Sequence, residues 1–439
     1  MTICILVLSA IFTLSGYASS IDNDTIISNY TNIATANYHD CIQDAKNLET
    51  AINTFAKNPH KDTLKKSKEA WLRARESYGT SEIFRLVGGP IDAQKGWVKK
   101  AYGSLESQLN AWPLDENMID YTTDADGKKT SGNIIDTIGV FHPSGIQSSE
   151  VNISKINKET LSALNENGGD ANIATGYHAI EFLLWGQDQD YSNFLKDTVT
   201  NGAMRAGQRP LSDFTVDTYA SRRLAYLKAA ATKIVSDLSK VASGWSPQIS
   251  DNCALNPEGC YRGAITNQLR GIDAKKNITK QQALKQILAG MGVFIKSEVA
   301  NERIAVAVLT PSEEDEHSCF SDNTHRDIAM NYQGFKNVLT GSYHDKQGKS
   351  FLDKVDTKTK KKILALMNSI EEKIASIDKV ASTKAHFDYQ IRPDNPQVKV
   401  IIKLKNQMRK LGDMMILVAK QNGIDLTSED ISNADETQI

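Results

Sequence analysis

The chain has 439 residues, of which 24% are charged and 40% hydrophobic, with a formal net charge of −2. That length exceeds one ordinary core and suits two domains of about 200 residues each. The near-neutral charge, with no stripe of Lys or Arg interleaved with aromatics, excludes a nucleic-acid binder.

Residues Ile3 to Leu14 form an apolar run too short to span a bilayer, followed by Gly16-Tyr17-Ala18-Ser19-Ser20. This reads as a secretory signal over residues 1–20, although no Lys or Arg precedes the run. No later run is long and apolar enough to anchor the mature chain, so a soluble exported protein is expected, without a transmembrane helix. Removal of the signal takes Cys4 and leaves Cys41, Cys253, Cys260 and Cys319 in an oxidising compartment. Cys253 and Cys260 flank a turn-rich segment and are expected to form a local disulfide. Cys41 with Cys319 is the remaining pairing.

Residues 21–245 read as a helical bundle. Apolar residues from Ile26 to Phe55 keep helical spacing up to Pro59. The next helix, about Lys61 to Val87, carries Trp71, Arg75, Tyr78, Glu82 and Arg85 on one inward stripe. Gly88-Gly89-Pro90 then breaks it and delivers Asp92 just beyond its end. Between Gly96 and Gly169 turn signals surround short helices, an excursion of the kind that wraps a functional site. Asp170 is expected to cap a helix running to Trp185, with Gly186 as its stop. Asp213 is expected to cap a fourth helix, with Val216 among its inward residues and Gly244 at its end.

Residues 246–276, holding both close cysteines, read as a junction. Residues 277–439 read as a second bundle. Lys280 to Leu309 is expected to place Leu288, Met291, Ile295, Glu298 and Glu302 on one stripe. A helix starting near Asp322 passes His325, and Ile363–Ile377 and Leu404–Val418 mark the last two. Strand-like alternation is absent. The expected class is all-α, two tandem antiparallel four-helix bundles, with a diverged duplication as one explanation for the ionisable residues on inner faces in both halves.

The chemistry concentrates in Gly176-Tyr177-His178-Ala179-Ile180-Glu181-Phe182-Leu183-Leu184-Trp185-Gly186. His178 and Glu181 are three apart and share a face of a helix apolar nearly all round. Burying such a pair costs several kcal/mol unless other groups meet it. An imidazole with two or three carboxylates suits iron, zinc, copper or manganese better than calcium. Glu82 and Asp92 are the candidates to complete the set, with Arg85 orienting a carboxylate. A buried His bonded to a Glu one turn away is also a common structural pair. Glu298, Glu302 and Arg303 read as an interhelical ion-pair network. Glu314 to His317 and Asp322 to His325 read as caps and solvated charge. Tyr78, Tyr177 and Trp185 read as core. The zinc-peptidase signatures H-E-x-x-H and H-x-x-E-H are both missing, since Phe182 stands where the inverted form has its second His.

The 176–188 stretch resembles the G-x-H-x-x-E signature of the imelysin family, the iron-regulated protein A type of exported bacterial protein. Glu82-Ile83-Phe84-Arg85, Gly89-Pro90-Ile91-Asp92 and Trp112-Pro113-Leu114 resemble the family's N-terminal half, and Ser318 to His325 its C-terminal half. The resemblance implies a double helical bundle, export to the periplasm or outer envelope, and a link to iron uptake. It also implies His178, Glu181, Glu82 and Asp92 as ligands. The pattern itself adds Gly176, Trp185 and Arg85 around them and Asp322, His325, Glu298, Glu302 and Arg303 as secondary candidates. The expected cargo is a metal ion, iron or zinc, or an iron-bearing ligand, with outer-membrane iron-uptake components as partners. Two further functions stay open: a metallopeptidase using Glu181 as base, and an interaction module of the cell envelope whose polar cluster is structural.

Overall fold

The computed structural model describes residues 22–123, 127–188, 206–309 and 316–432. The expected signal segment lies outside them. Among the described residues, eight main helices carry the fold. They are α1 (Asn23–Lys57), α2 (Lys61–Ser81), α3 (Gly176–Trp185), α4 (Ala220–Ser243), α5 (Lys280–Val293, continued by Phe294–Ala305 and Val306–Leu309), α6 (Thr324–Thr340), α7 (Thr357–Thr383) and α8 (Val398–Gln421). The fold is all-α, and the β-structure among the described residues is two two-stranded ribbons and one isolated bridge. The ribbons pair Val140–Phe141 with Val151–Asn152 and Ser342–Tyr343 with Lys346–Gln347, too short to leave an alternation in the sequence. No helix of the described residues is long and apolar enough to cross a membrane.

Local chemistry sets the helix ends. The Asp22 carboxylate accepts from the Asp24 N–H at the start of α1, and Thr279 and Gln282 cap each other's amides at the start of α5. α2 ends at Ser81 and passes into a 3₁₀ turn over Glu82–Phe84, so Glu82 lies at the break, not inside a helix reaching Val87. α3 begins at Gly176, not near Asp170. The Asn165 side-chain oxygen accepts the N–H groups of Ala174 and Thr175 just ahead of it, and Gly186 ends it as expected. α4 begins at Ala220, so Asp213 caps nothing and Val216 is exposed. In α5 the Phe294–Ala305 stretch is π-helical. The wider turn shifts the register, which leaves Glu302 exposed instead of in line with Glu298.

α1 packs on α2 and α4, and α3 lies between α2 and α4. α8 packs on α5 and α7, and α6 touches α7, the π-helical stretch and α2. One apolar cluster runs through both sets, from Ile26 to Ile431. The α2–α6 contact is where the halves meet, and the polar network described below crosses it. Cys253 and Cys260 form the local disulfide. Cys41 and Cys319 are both free and buried, so the long-range pairing is not made. The Cys41 thiol instead donates to the Ser77 carbonyl at 3.1 Å.

Candidate functional site

α3 carries His178 and Glu181 to a position with no solvent exposure. Gly176 makes this possible. It has φ +85°, and a Cβ there would sit 2.5 Å from the Leu109 carbonyl oxygen. The first letter of the motif therefore answers a close backbone approach.

His178 Nδ1 and Glu181 Oε2 are 2.9 Å apart. Glu181 Oε1 accepts from the Ser321 N–H at 3.0 Å and the Ser321 hydroxyl at 2.6 Å. Burial pushes the Glu181 carboxyl up to about 8, against the pull of the Ser321 hydrogen bonds and Arg75. Burial, then the His317 and Arg75 charges, holds His178 well below the ordinary imidazole value. At neutral pH the pair is thus an uncharged imidazole and a protonated carboxyl, with Oε2–H donating to Nδ1 and the ring proton on Nε2. His178 Nε2 meets no hydrogen-bond partner among the described residues.

A second imidazole stands against the first. The rings of His178 and His317 are 4.7 Å apart at 80°, and the Trp112 ring is 4.9 Å from His178. His317 Nδ1 is 2.7 Å from Asp327 Oδ2, which also accepts from the Ser318 hydroxyl at 2.5 Å. Arg75 Nε donates to Asp327 Oδ1 at 3.2 Å, and Nη2 of the same guanidinium lies 3.1 Å from that oxygen as an ion pair. Burial works to raise the Asp327 carboxyl, but Arg75 and His317 hold it well below the usual range.

From Arg75 the network continues through Asn110 to Glu82. The guanidinium donates to Asn110 Oδ1, and Asn110 Nδ2 donates to Glu82 Oε1 at 2.7 Å. Glu82 Oε2 accepts from Arg303 at 2.9 Å and Asn331 at 2.7 Å. Arg303 and Arg85 both reach Glu298 Oε2, at 3.2 and 3.1 Å. Burial acts to raise Glu298, yet the two guanidinium groups pull it down to about 2.

The four residues read as ligands are not gathered into one shell. His178 and Glu181 touch; both Glu82 oxygens are taken by protein donors; Asp92 Oδ2 accepts from the Leu86 N–H at 2.6 Å, serving its own turn. No three of them bring ligand atoms within 4.8 Å of one another. Arg85 serves Glu298 and Glu106, not a carboxylate beside His178. Trp185 packs edge-on to Trp71 with ring centres 5.2 Å apart, as core. Glu298 and Arg303 form the expected ion-pair network. His325 stands apart, 3.6 Å from Asp378, with burial lowering it to about 4. Asp322 joins a different group, with His386 and Asp388. The residues that the sequence hid are Asn110, His317, Ser321, Asp327 and Asn331. Ser321 lay inside the 318–325 block. His317 was read as a solvated loop residue and is buried because Asp327, one turn into α6, reaches back to its ring.

An all-helical protein with an enclosed imidazole–carboxyl pair where its two helix sets meet is the class that fold and site define. The chain belongs to the imelysin family, whose model matches residues 34–413. No curated protein matches it in sequence. Among solved structures it is similar to a candidate iron-regulated protein A precursor from Parabacteroides distasonis, with a TM-score of 0.60 and 15% identity, over 92% of this chain and 97% of that one. At that identity the likeness speaks for the fold.

Proposed function

We propose that this is an exported protein of iron uptake that holds a metal ion, or an iron-bearing ligand, through the His178 imidazole. The observation that carries the reading is the His178 ring: it is wholly enclosed, held uncharged, gripped at Nδ1 by Glu181, and left without a partner at Nε2. A buried polar atom with no partner is costly, and a neutral imidazole whose other nitrogen is fixed by a carboxyl is a transition-metal donor. The His317 ring, whose Nδ1 donates to the ionised Asp327, is the second donor. Glu181 then orients and does not ligate, and Glu82 ties the helix sets together. The designation of the Parabacteroides neighbour as iron-regulated, and as a precursor, supports the iron link and export. Outer-membrane uptake components are the partners this reading calls for. It is favoured over peptide hydrolysis because Glu181 is closed off, and the cleft of about 620 Å³ lined by Asp40, Glu76 and Tyr343 does not include the motif.

Ligation at Nε2 displaces the ring proton, moves the shared proton to Nδ1 and ionises Glu181, so one proton leaves below about pH 8. Anaerobic Fe²⁺ titration tests this. Wild type should lose affinity about tenfold per pH unit from pH 8 to 6, and His178→Ala should bind one equivalent fewer at pH 8. Equal stoichiometry in the two proteins overturns the proposal.

A further inference from the structure

A second buried cluster lies in the C-terminal half, away from the G-x-H-x-x-E motif. The turn ahead of α6 supplies Asp322, with φ +55°. The short helix after α7, Phe387–Ile391, supplies Asp388, and His386 precedes it as its N-cap. That helix is fixed by Gln390, whose amide donates to the Ile377 and Ala385 carbonyls at 3.1 and 2.9 Å. Ligand atoms of Asp322, His386 and Asp388 all lie within 4.8 Å of one another, and His386 Nδ1 is 3.4 Å from a carboxylate oxygen of each acid. The three residues are at most 1% exposed.

A fourth buried carboxyl, outside that triad, lies against Asp388. Glu316 has no solvent exposure, and no donor meets either of its oxygens in hydrogen-bonding geometry. After burial, the strongest influences on it are the Asp388 and Asp322 carboxylates, which drive it well above its usual range; the nearby Thr324 hydroxyl opposes them weakly. The Asp388 oxygens likewise receive no hydrogen bond. Among the described residues no Lys or Arg pairs with Glu316 or Asp388. Three enclosed carboxyl groups thus share one imidazole, and Glu316 must keep its proton unless a cation takes the proton's place in a medium that does not tolerate unbalanced charge.

We infer that Glu316, Asp322, His386 and Asp388 form a second cation site, selective for a divalent first-row ion such as Mn²⁺ or Fe²⁺. Three oxygens and one imidazole nitrogen are a hard-to-borderline donor set, which favours those ions over Ca²⁺ on the nitrogen and over Cu⁺ on the oxygens. The site draws two donors from the segment before α6 and two from beyond α7, so an ion there ties these segments together.

Mn²⁺ is the probe, followed at pH 7.5 by loss of the free-ion EPR signal. Wild type and His178→Ala should both bind one Mn²⁺ with the same affinity, and Glu316→Gln/Asp388→Asn should bind it at least tenfold more weakly. Retention in His178→Ala separates this site from the one proposed above. Anomalous diffraction from Mn²⁺-soaked wild-type crystals needs no variant to fold, and should place a peak among the four side chains. No Mn²⁺ bound by wild type at 1 mM, about the weak limit for a protein cation site, overturns the inference. So does wild-type affinity in the double variant, or a soaked crystal with no peak there.

Discussion

Two buried polar clusters in one molecule solve the same electrostatic problem in opposite ways. Around His178, carboxylates and cations alternate: Asp327 with Arg75, Glu82 with Arg303, Glu298 with Arg85 and Arg303. What remains over is one uncharged imidazole nitrogen. Around His386 the acids outnumber the imidazole: the ring lies 3.4 Å from both Asp322 and Asp388, and among the described residues no Lys or Arg pairs with Glu316 or Asp388. The first cluster is balanced by the protein itself and leaves one imidazole N–H without an acceptor. The second needs a proton or a metal ion to be balanced at all.

The largest test of that contrast is Arg75→Ala. It strands Asp327 and Asn110 in the core, and urea unfolding should show a loss of about 3–5 kcal/mol. A loss under about 1 kcal/mol would mean the network is not balanced by Arg75. Glu181→Gln comes next. The Glu181 carboxyl is raised in the folded state, so its contribution is fully present below the unfolded value near 4.5 and is lost as pH rises through about 8. Over that window, stability measured by unfolding in metal-free buffer should fall by up to about 1.4 kcal/mol per pH unit from this group. Glu181→Gln should flatten that part of the profile, and an unchanged slope would assign it elsewhere. The smallest effect is expected for Glu316→Gln without metal. It replaces an acid facing an acid by an amide that can donate to Asp388, so the change should stay within about 1 kcal/mol of zero. A large loss would show that Glu316 already has a stabilising partner.

The helix set was readable because stripes such as Ile26 to Phe55 and Leu404 to Val418 have one period and one face. Its details were lost where backbone geometry overrode pattern. The π-helical stretch moved Glu302 to the surface, and α3 starts at Gly176 with no side-chain cap where Asp170 was expected to supply one. His178 and Glu181 were legible because one helical turn fixes their relation. Their neighbours were not, because Asn110, His317, Ser321 and Asp327 reach the ring from separate segments and no local spacing records it. Asp322 appeared among the secondary candidates, but its partners His386 and Asp388 lie more than sixty residues away in an H-x-D that no periodicity marks.

Ser321 donates twice to a carboxyl 140 residues earlier in the chain. The motif's own helix can form as soon as residues 176 to 185 leave the ribosome, yet its acid stays incomplete until α6 is about to be made. Contacts of such separation form late, since loop closure must come first. A polypeptide that ends before Ser321 thus leaves the Glu181 carboxyl without the two hydrogen bonds that hold it in the folded chain.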